Sequence, residues 1–204
     1  MSVAAVVLAA GGSTRFGKPK QFALFQDETF IRRIVIAAIE AGCAPVVVVT
    51  GENSTQVTLE LAGLSVSIAM NPGWSSGVGS SIRVGVQRAM DLAAEVGASL
   101  LLTCDQPFVT AAVLAQLIQL HLTSGKPIVA SAYATTLGIP ALFDRSCFPD
   151  LLRLKGDNGA KGIILARPHD VASFDFPVGE IDIDTAADYE KLDQPLAADG
   201  TRLG

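Results

Sequence analysis

The residues best suited to chemistry lie in the stretch AAGGSTRFGKPKQ, residues 9–21, where two glycines precede a group of cations. Gly11 and Gly12 would let a ligand approach the backbone closely. Three positive charges fall within six residues: Arg15, Lys18 and Lys20. Backbone amides and cations in such a loop can hold a triphosphate. The loop is therefore a candidate phosphate site, and an ordinary glycine turn with solvated lysines is the alternative.

From Gly12 the same loop also matches the G-x-x-x-x-G-K spacing of a P-loop, with Gly17 and Lys18 in the last two positions. A P-loop continues with Ser or Thr, whose hydroxyl binds Mg²⁺. The next residue here is Pro19, which has neither a hydroxyl nor an N–H. A P-loop ATPase is therefore disfavoured, and a metal would have to be held elsewhere.

Carboxylates follow two other apolar runs. Asp105 ends SLLLTCD, and Asp182 and Asp184 alternate with isoleucine in IDID. A strand would place Asp182 and Asp184 on one face, and the carboxyl ends of parallel strands meet at one edge of a sheet. Two adjacent carboxylates repel each other unless a cation lies between them, and Mg²⁺ prefers carboxylate oxygens as ligands. The sequence thus predicts a metal site at this edge, with helix capping by Asp184 or Thr185 as the alternative.

Strand and helix patterns alternate along most of the chain, which predicts a parallel sheet covered by helices on both faces. The predicted strands are 2–9, 44–51, 65–71, 99–105, 127–133, 139–143 and 179–184. The predicted helices are 29–42, 53–63, 80–97, 110–125, 146–154, 160–167 and 185–192. Gly42 is expected to end the first helix and Thr110 to cap the fourth.

Composition predicts one α/β domain over residues 1–192, because 204 residues with 50% hydrophobic content can bury one substantial core. The polar residues 193–204 are expected to form a flexible C-terminal tail. A net charge of −5 provides no field to hold a nucleic acid, and the apolar runs are shorter than the roughly 18–20 residues of a membrane span. No signal peptide is recognised, so the expected location is cytoplasmic.

The cysteines and histidines suggest no site of their own. Cys43, Cys104 and Cys147 are widely spaced and odd in number, which predicts reduced buried thiols rather than disulfides or a zinc site. His121 and His169 stand far apart, whereas metal and general-base sites gather several convergent groups. Catalysis is therefore assigned to the cations and carboxylates.

A nucleotide base would be recognised where loop ends offer hydrogen bonds to its edge. Such positions lie after the first three predicted strands and at the start of the third long helix, where Ser80 and Ser81 also fit a helix cap. The candidate nucleotide-binding residues are Leu8, Ala9, Ala10, Gly11, Gly12, Ser13, Lys20, Thr50, Asn71, Ser80 and Ser81.

Several motifs together resemble one family. LAAGGSTRFGKPKQ is similar to the signature L-A-A-G-x-S-x-R-[MF]-G-x-x-K of the MobA-like nucleotidyltransferases, which include the molybdenum cofactor cytidylyl- and guanylyltransferases. NPGWSSGVGSSIRVGV resembles that family's second nucleotide loop, and LLLTCDQPFVT resembles its metal-aspartate strand. GIPALFDRSCFPDLLRLKGDNGAKGII and IDIDTAADYEKL resemble the distal half of the cytidylyltransferase branch. The resemblance covers about residues 3–192.

The resemblance implies a single-domain Rossmann-like nucleotidyltransferase fold with a mostly parallel mixed sheet. It implies transfer of a nucleoside monophosphate from an NTP to a phosphorylated acceptor, with release of pyrophosphate. Arg15, Lys20 and Asp105 correspond to the family's catalytic residues, with Lys18 a lesser contributor. Asp105 corresponds to its Mg²⁺-binding aspartate, and the family's distal metal position falls within Asp182 and Asp184, with the choice between these two left open.

The resemblance also bears on the substrates. Ser81 lies where related cytidylyltransferases contact cytosine, and the doublet Ala9-Ala10 is typical of the cytidylyl branch, so CTP is expected rather than GTP. In GDNGAKG, the residues Asp157, Asn158 and Lys161 match the region expected to meet a molybdopterin-type acceptor, although a surface turn would look the same. A molybdoenzyme would then receive the product.

Two other functions remain open from the sequence. The same loop serves nucleotidyl transfer to a sugar or alcohol phosphate in the wider superfamily. A cofactor-binding chaperone for a molybdoenzyme is the non-enzymatic alternative, although pure binding would not require Lys20, Asp105 and the distal aspartates together.

Overall fold

The computed structural model describes residues 1–11, 19–181, 183, 188, 189 and 192. Its strands are β1 (Ser2–Ala9), β2 (Leu24–Phe25), β3 (Glu28–Thr29), β4 (Val46–Thr50), β5 (Ser67–Met70), β6 (Val96–Thr103), β7 (Ile128–Tyr133), β8 (Thr136–Asp144) and β9 (Val171–Asp175). Its α-helices are α1 (Phe30–Glu40), α2 (Ser54–Glu60), α3 (Val78–Leu92), α4 (Ala111–Ser124), α5 (Phe148–Leu151) and α6 (Lys161–Ala166).

Seven strands form one sheet in the order β5-β4-β1-β6-β8-β7-β9, and β2 and β3 form a separate small hairpin. Within the large sheet, β8 runs antiparallel to both of its neighbours, whereas the other pairs are parallel. The predicted α/β fold with a mostly parallel mixed sheet is therefore confirmed.

Both faces of this sheet are covered, so successive residues of β1 belong to two different cores. Ala5 and Val7 pack in the core that α1, α2 and α4 cover. Ala4 and Val6 pack in the core on the other face, under α3, α5 and α6. This double burial explains why the strands read as continuous apolar runs in the sequence.

Local signals fix the ends of the long helices. Thr29 and Thr110 precede α1 and α4, and each side chain accepts a hydrogen bond from the backbone N–H three residues later. Gly42, with φ of 81°, follows the end of α1, and Gly125 caps α4 in the left-handed conformation. The predicted roles of Gly42 and Thr110 are thus confirmed.

Three details differ from the predicted elements. Helix α3 begins at Val78 rather than Ser80 and stops at Leu92, because residues from Val96 onward already belong to β6. The edge strand β9 and the hairpin β2–β3 were not predicted. Residues Pro177–Glu180 form a 3-10 turn, so the predicted strand 179–184 does not begin there.

Within the described part of the chain, no helix has both the length and the hydropathy that a membrane span requires. The predicted tail, residues 193–204, lies outside the described residues.

Candidate active site

A crevice opens beyond the carboxyl ends of β1 and β6. These strands are neighbours, and the chain leaves β1 towards β4 but later returns to place β6 on the opposite side. Ligands of open α/β sheets bind at such a switch point. The crevice contains a cavity of about 380 Å³. Its lining is Leu8, Ala10, Gly11, Lys20, Gln21, Trp74, Ser75, Gly77, Val78, Ser81, Thr103, Cys104, Asp105 and Asp157.

An ion pair lies in this cavity. Lys20, in the short turn after Pro19, donates from its Nζ to Asp105 Oδ2 at 2.7 Å. Asp105 follows the end of β6, and both side chains are only 19% exposed. Solvent therefore screens this pair less than it would a surface pair. The structure brings together the predicted phosphate-binding cation and the predicted metal-binding carboxylate, which stand 85 residues apart in the sequence.

A buried polar cluster lies at the start of α3. Asn71 Nδ2 donates to Ser80 Oγ at 2.8 Å and to Ser81 Oγ at 3.1 Å, and Asn71 Oδ1 accepts from Gly73 N–H. Ser80 Oγ in turn donates to the Gly77 carbonyl at 2.9 Å. Ser81 lines the cavity, and its hydroxyl proton has no acceptor among the described residues. Ser81 can therefore donate to a ligand, whereas Ser80 holds the loop.

Not every predicted nucleotide contact reaches the described lining of the cavity. Thr50 and Ala9 are buried and pair with each other across β4 and β1. The Thr50 hydroxyl has no hydrogen-bond partner among the described residues. Gly12, Ser13 and Arg15 lie outside the described residues, so the glycine loop contributes only Gly11 and the segment from Pro19 onward to the described crevice.

The predicted acceptor residues lie in a neighbouring concavity of about 750 Å³. Asp157, Asn158 and Lys161 line it, and Asp157 also lines the first cavity. Four cationic side chains contribute to its wall: Arg153, Lys155, Lys161 and Arg167. The walls of the two cavities therefore share Asp157, and the second cavity carries more basic than acidic groups.

Two glycines allow the loops of these cavities to touch. A Cβ at Gly77, where φ is 111°, would lie 2.2 Å from the Gly156 carbonyl carbon, and one at Gly79 would lie 2.8 Å from the Asn158 carbonyl oxygen. The Gly79 N–H donates to the Gly156 carbonyl at 3.0 Å. The loop before α3 and the loop before α6 therefore form one packed unit.

The distal aspartates Asp182 and Asp184 lie outside the described residues, but Ile183 between them is described. Its N–H donates to the Asp105 carbonyl at 3.0 Å, and its side chain is fully buried. Asp105 lies beyond the end of β6, so Ile183 meets the end of the sheet instead of extending a strand. No group of three or more His, Cys, Asp or Glu able to hold a metal occurs within the described part of the chain.

Sequence reasoning missed several residues that line the cavity, among them Gln21 and Trp74. Gln21 is 3% exposed, and its Nε2 has no hydrogen-bond partner among the described residues. Trp74, the single tryptophan of the chain, packs against Gly51, where a Cβ would lie 2.9 Å from the indole. Both occur within the quoted motifs, next to Lys20 and in NPGW, but their spacing carries no chemical signal of its own.

Cys104 also lines the cavity, yet it is not a candidate nucleophile. Burial raises the pKa of its thiol, the charge of Asp105 raises it further, and Lys20 opposes the shift. The side chain packs in the core under α1 and α4. Since the thiolate is the reactive form, Cys104 stays protonated and structural at neutral pH.

Known proteins resemble this chain over almost its whole length. The nicotine blue oxidoreductase of Paenarthrobacter nicotinovorans is 29% identical, covering 93% of this chain and 96% of that protein. The crystal structure of Rv0371c from Mycobacterium tuberculosis H37Rv superposes with a TM-score of 0.78 at 30% identity, covering 94% of this chain and 97% of that one. A second structure of Rv0371c, in complex with manganese, superposes with a TM-score of 0.78 at 28% identity, covering 94% of this chain and 98% of that one.

A nucleotidyl transferase from Methanothermobacter shares the fold, with a TM-score of 0.79 at 24% identity, covering 94% of this chain and 95% of that one. The sequence pattern of the MobA-like NTP transferase domain matches residues 5–171. The motifs around Gly11, Ser81 and Asp105 all fall within that match. The chain therefore belongs to the MobA-like NTP transferase domain family.

Proposed function

We propose that this protein transfers CMP from CTP to the phosphate of a molybdopterin-type cofactor in the cytoplasm, with release of pyrophosphate, and that a molybdoenzyme receives the product. The observation that carries this proposal is the pair formed by Lys20 and Asp105, 2.7 Å apart in a cavity at the switch point of the sheet. A phosphate-binding ammonium beside a metal-binding carboxylate suits the transfer of a phosphorus group.

In the proposed reaction an oxygen of the acceptor phosphate attacks the α-phosphorus of CTP. The bond from the α-phosphorus to the bridging oxygen breaks, and pyrophosphate leaves with its electron pair. An ionised phosphate needs no general base, which agrees with the absence of a histidine from the described lining of the cavity. Lys20 and Arg15 would bind triphosphate oxygens and stabilise the charge that develops on the leaving group.

Asp105 fits a divalent cation, because its carboxylate already balances a positive charge at 2.7 Å and remains partly exposed to the cavity. The hydrogen bond from Ile183 to the Asp105 carbonyl supports Asp182 and Asp184 as the further ligands. The manganese complex of Rv0371c supports a divalent cation in a relative. Mg²⁺ is the proposed ion, and it would neutralise phosphate charge.

Ser81 supports the choice of CTP. Its hydroxyl accepts from Asn71 and lines the cavity, so its proton can be donated to an acceptor on a base edge. Cytosine offers two such acceptors, O2 and N3, whereas the corresponding edge of guanine offers one acceptor, O6, beside the donors N1–H and N2–H. Asn71 therefore orients Ser81 as a donor, which favours cytosine over guanine.

The second concavity supports an anionic acceptor. Lys155, Lys161 and Arg153 contribute to its wall, and it shares the lining residue Asp157 with the proposed nucleotide cavity. A phosphorylated acceptor bound there could present its phosphate towards the α-phosphorus. Asn158 and the backbone of the glycine-containing loop add hydrogen-bonding groups for a polar ring.

An oxidoreductase activity is the second candidate, since the relative from Paenarthrobacter nicotinovorans carries that name and matches over 93% of this chain. Such a reaction would need a reduced nicotinamide nucleotide in the same cavity. Hydride transfer does not call for a carboxylate placed to bind a metal, and so the pair of Lys20 and Asp105 favours nucleotidyl transfer.

A matrix of substrates tests the proposal. The protein is incubated with Mg²⁺, each NTP in turn, and either purified molybdenum cofactor or a panel of sugar and alcohol phosphates, while pyrophosphate release is measured. We expect release with CTP and the molybdenum cofactor only. A parallel set follows oxidation of NADH and NADPH with quinonoid dyes as acceptors.

Each other outcome identifies a different function. Release with GTP alone would overturn the assignment of the base, and release with a sugar phosphate alone would overturn the acceptor. Tight binding of the cofactor without pyrophosphate from any NTP would indicate the chaperone. Dye-dependent oxidation of NADH or NADPH without pyrophosphate release would indicate the oxidoreductase.

A further inference from the structure

Trp74 is the single tryptophan of the chain, and it lines the cavity that holds Lys20 and Asp105. It is half-buried, and it is the only aromatic residue in the described lining. The proposed function gives it no task. An indole is flat and largely apolar, and such rings prefer to stack with an offset against other flat rings. Trp74 is therefore suited to contact a planar ring bound in this cavity.

Gly51, the residue after β4, allows the indole to lie close to the sheet. A Cβ at Gly51 would lie 2.9 Å from Cγ and Cδ1 of Trp74 and 2.9 Å from the Ala10 carbonyl oxygen. Any side chain there would displace its neighbours, because non-bonded carbon atoms pack about 3.5–4.0 Å apart. The indole and the Ala10 backbone therefore lie near each other, beyond the carboxyl ends of β4 and β1.

The backbone of Trp74 is held by the same residue that orients Ser81. The Trp74 N–H donates to the Asn71 carbonyl at 3.2 Å, and the Trp74 carbonyl accepts from the Gly77 N–H at 3.1 Å. The side chain of Asn71 donates to Ser81 Oγ at 3.1 Å. Asn71 therefore holds Trp74 through its carbonyl and Ser81 through its amide, so that the ring and the hydroxyl belong to one ordered unit of the cavity wall.

We propose that Trp74 forms the aromatic wall of the nucleobase pocket, with its indole stacked on the face of the cytosine ring whose edge meets Ser81. The proposal rests on the proposed function, because it assumes that the cavity holds the base of CTP. Stacking on an aromatic side chain tolerates every base, since each base has a π-face. Trp74 therefore supplies affinity for the ring, and Ser81 supplies the discrimination between bases.

The position of Trp74 favours the base over a planar ring of the acceptor. Trp74 lines the same cavity as Ala10, Gly11 and Ser81, where the hydrogen-bonding groups for a base edge are found. The second concavity contains no aromatic residue in its described lining, and its wall is rich in cations. A flat ring that stacks on Trp74 would therefore lie beside Ser81, and the acceptor would lie beyond Asp157.

Tryptophan emission tests the proposal in the full chain without any substitution, because all of it comes from Trp74. The protein is titrated in Mg²⁺ with CTP and, separately, with inorganic tripolyphosphate, which carries the phosphates but no base. Isothermal titration calorimetry measures the occupancy. We expect CTP to quench the emission in proportion to its occupancy and tripolyphosphate to leave the emission largely unchanged. Binding of CTP without a change in emission would overturn the proposal.

Substitution of the ring measures its contribution to affinity. We expect Trp74→Leu to weaken CTP binding by roughly 5-fold or more, the lower end of what a base stacked on an aromatic ring contributes. Trp74→Phe keeps a ring and should lose less. The matched control is Phe174→Leu, because Phe174 is also half-buried but stacks on Phe176, outside the described lining of the cavity. Phe174→Leu should bind CTP like the unmodified protein.

The outcomes separate the role of Trp74 from the proposed function. A folded Trp74→Leu variant with the CTP affinity of the unmodified protein would overturn the stacking role and leave the proposed function intact. Equal weakening of CTP and tripolyphosphate binding in Trp74→Leu would mean that Trp74 only supports the loop, which also overturns the stacking role. If the unmodified protein binds NADH but no CTP, both the stacking role and the proposed function are wrong.

Discussion

Ser80 and Ser81 are adjacent hydroxyls with different surroundings. Both accept from Asn71 Nδ2, but Ser80 then donates to the Gly77 carbonyl, whereas Ser81 lines the cavity. The sequence indicates that a serine doublet at this position can cap a helix or contact a base. Only the structure separates the two tasks, because helix α3 begins two residues earlier than the serines suggest.

Ser81→Ala should impair use of CTP, because it removes the one donor of the cluster that points to the cavity. A neutral hydrogen bond contributes about 0.5–1.5 kcal/mol, which corresponds to roughly 2- to 12-fold in kcat/KM for CTP. Steady-state kinetics with CTP and GTP measure the change. Ser80→Ala is the matched control, and it should lower the melting temperature without altering the ratio of CTP to GTP activity.

Other residues show what a sequence can and cannot reveal. Asp105 and Lys20 could be predicted to lie in one site, because one follows an apolar strand and the other ends a glycine loop at the ligand-binding edge of the sheet, but their direct ion pair was not predicted. The hydrogen bonds of Gln106 could not be predicted, since its partners Ile139 and Gly179 lie 33 and 73 residues away and offer only backbone carbonyls. Every residue type has a backbone carbonyl, so the residue types at these two positions do not indicate the hydrogen bonds.

At the scale of elements, the loop before α3 and the loop before α6 behave as one unit, because Gly77 and Gly79 meet Gly156 and Asn158 at backbone distance. This unit carries Asp157, which lines both the cavity beside Lys20 and the second concavity. Binding of nucleotide and acceptor is therefore expected to depend on the same loop contact.

Gly77→Ala tests that dependence. The new methyl group would meet the backbone of Gly156 at 2.2 Å and the residue would keep an unfavourable φ of 111°, so the loops must separate. We expect a loss of about 1–3 kcal/mol in the free energy of unfolding and a higher KM for both substrates. Urea denaturation and steady-state kinetics measure the two effects.

Gly63→Ala is the matched control for backbone conformation. Gly63 has a similar φ of 85°, but a Cβ there would meet no atom within 4 Å. Gly63→Ala should therefore lower the free energy of unfolding through its backbone conformation alone, without changing the KM of either substrate. Equal kinetic effects of the two variants would contradict the idea of a coupled pair of loops.

The elements that the sequence predicted are those with a strong local pattern. Helices α1 and α4 have capping threonines and glycine stops, and β1, β4 and β6 are continuous apolar runs. The edge strand β9 was missed because it is only half buried and pairs with β7 alone. The order of strands in the sheet depends on contacts distant in sequence, so no local pattern could specify it.

At the scale of the whole molecule, the buried cysteines make the free energy of unfolding depend on pH in the alkaline range. All three thiols are buried, and burial raises the pKa of Cys43 from 9.0 to about 12. Between pH 9.0 and about pH 12, the Cys43 thiol is still protonated in the folded protein but has lost its proton in the unfolded chain. Unfolding then releases a proton, so the stabilisation from Cys43 is complete below pH 9 and is lost as the pH rises towards 12.

Cys43→Ala should therefore reduce the alkaline slope of stability. One thiol contributes up to about 1.4 kcal/mol per pH unit to the fall in the free energy of unfolding above pH 9. Chemical denaturation at several values between pH 8 and pH 11 gives the slope for each protein, and the difference between slopes isolates Cys43 from other titrating groups. Parallel slopes would contradict the assignment of this pH dependence to the buried thiol.

The central claim is that the crevice at Asp105 and Lys20 performs metal-dependent nucleotidyl transfer. Its most direct test compares pyrophosphate release from CTP by the unmodified protein and by Asp105→Asn, with acceptor and Mg²⁺ saturating. Asp105→Asn keeps the size of the side chain and removes its charge, so we expect kcat to fall by roughly 100-fold or more while the melting temperature stays close to that of the unmodified protein. Pyrophosphate release by a folded Asp105→Asn variant within a few-fold of the unmodified protein would contradict the claim.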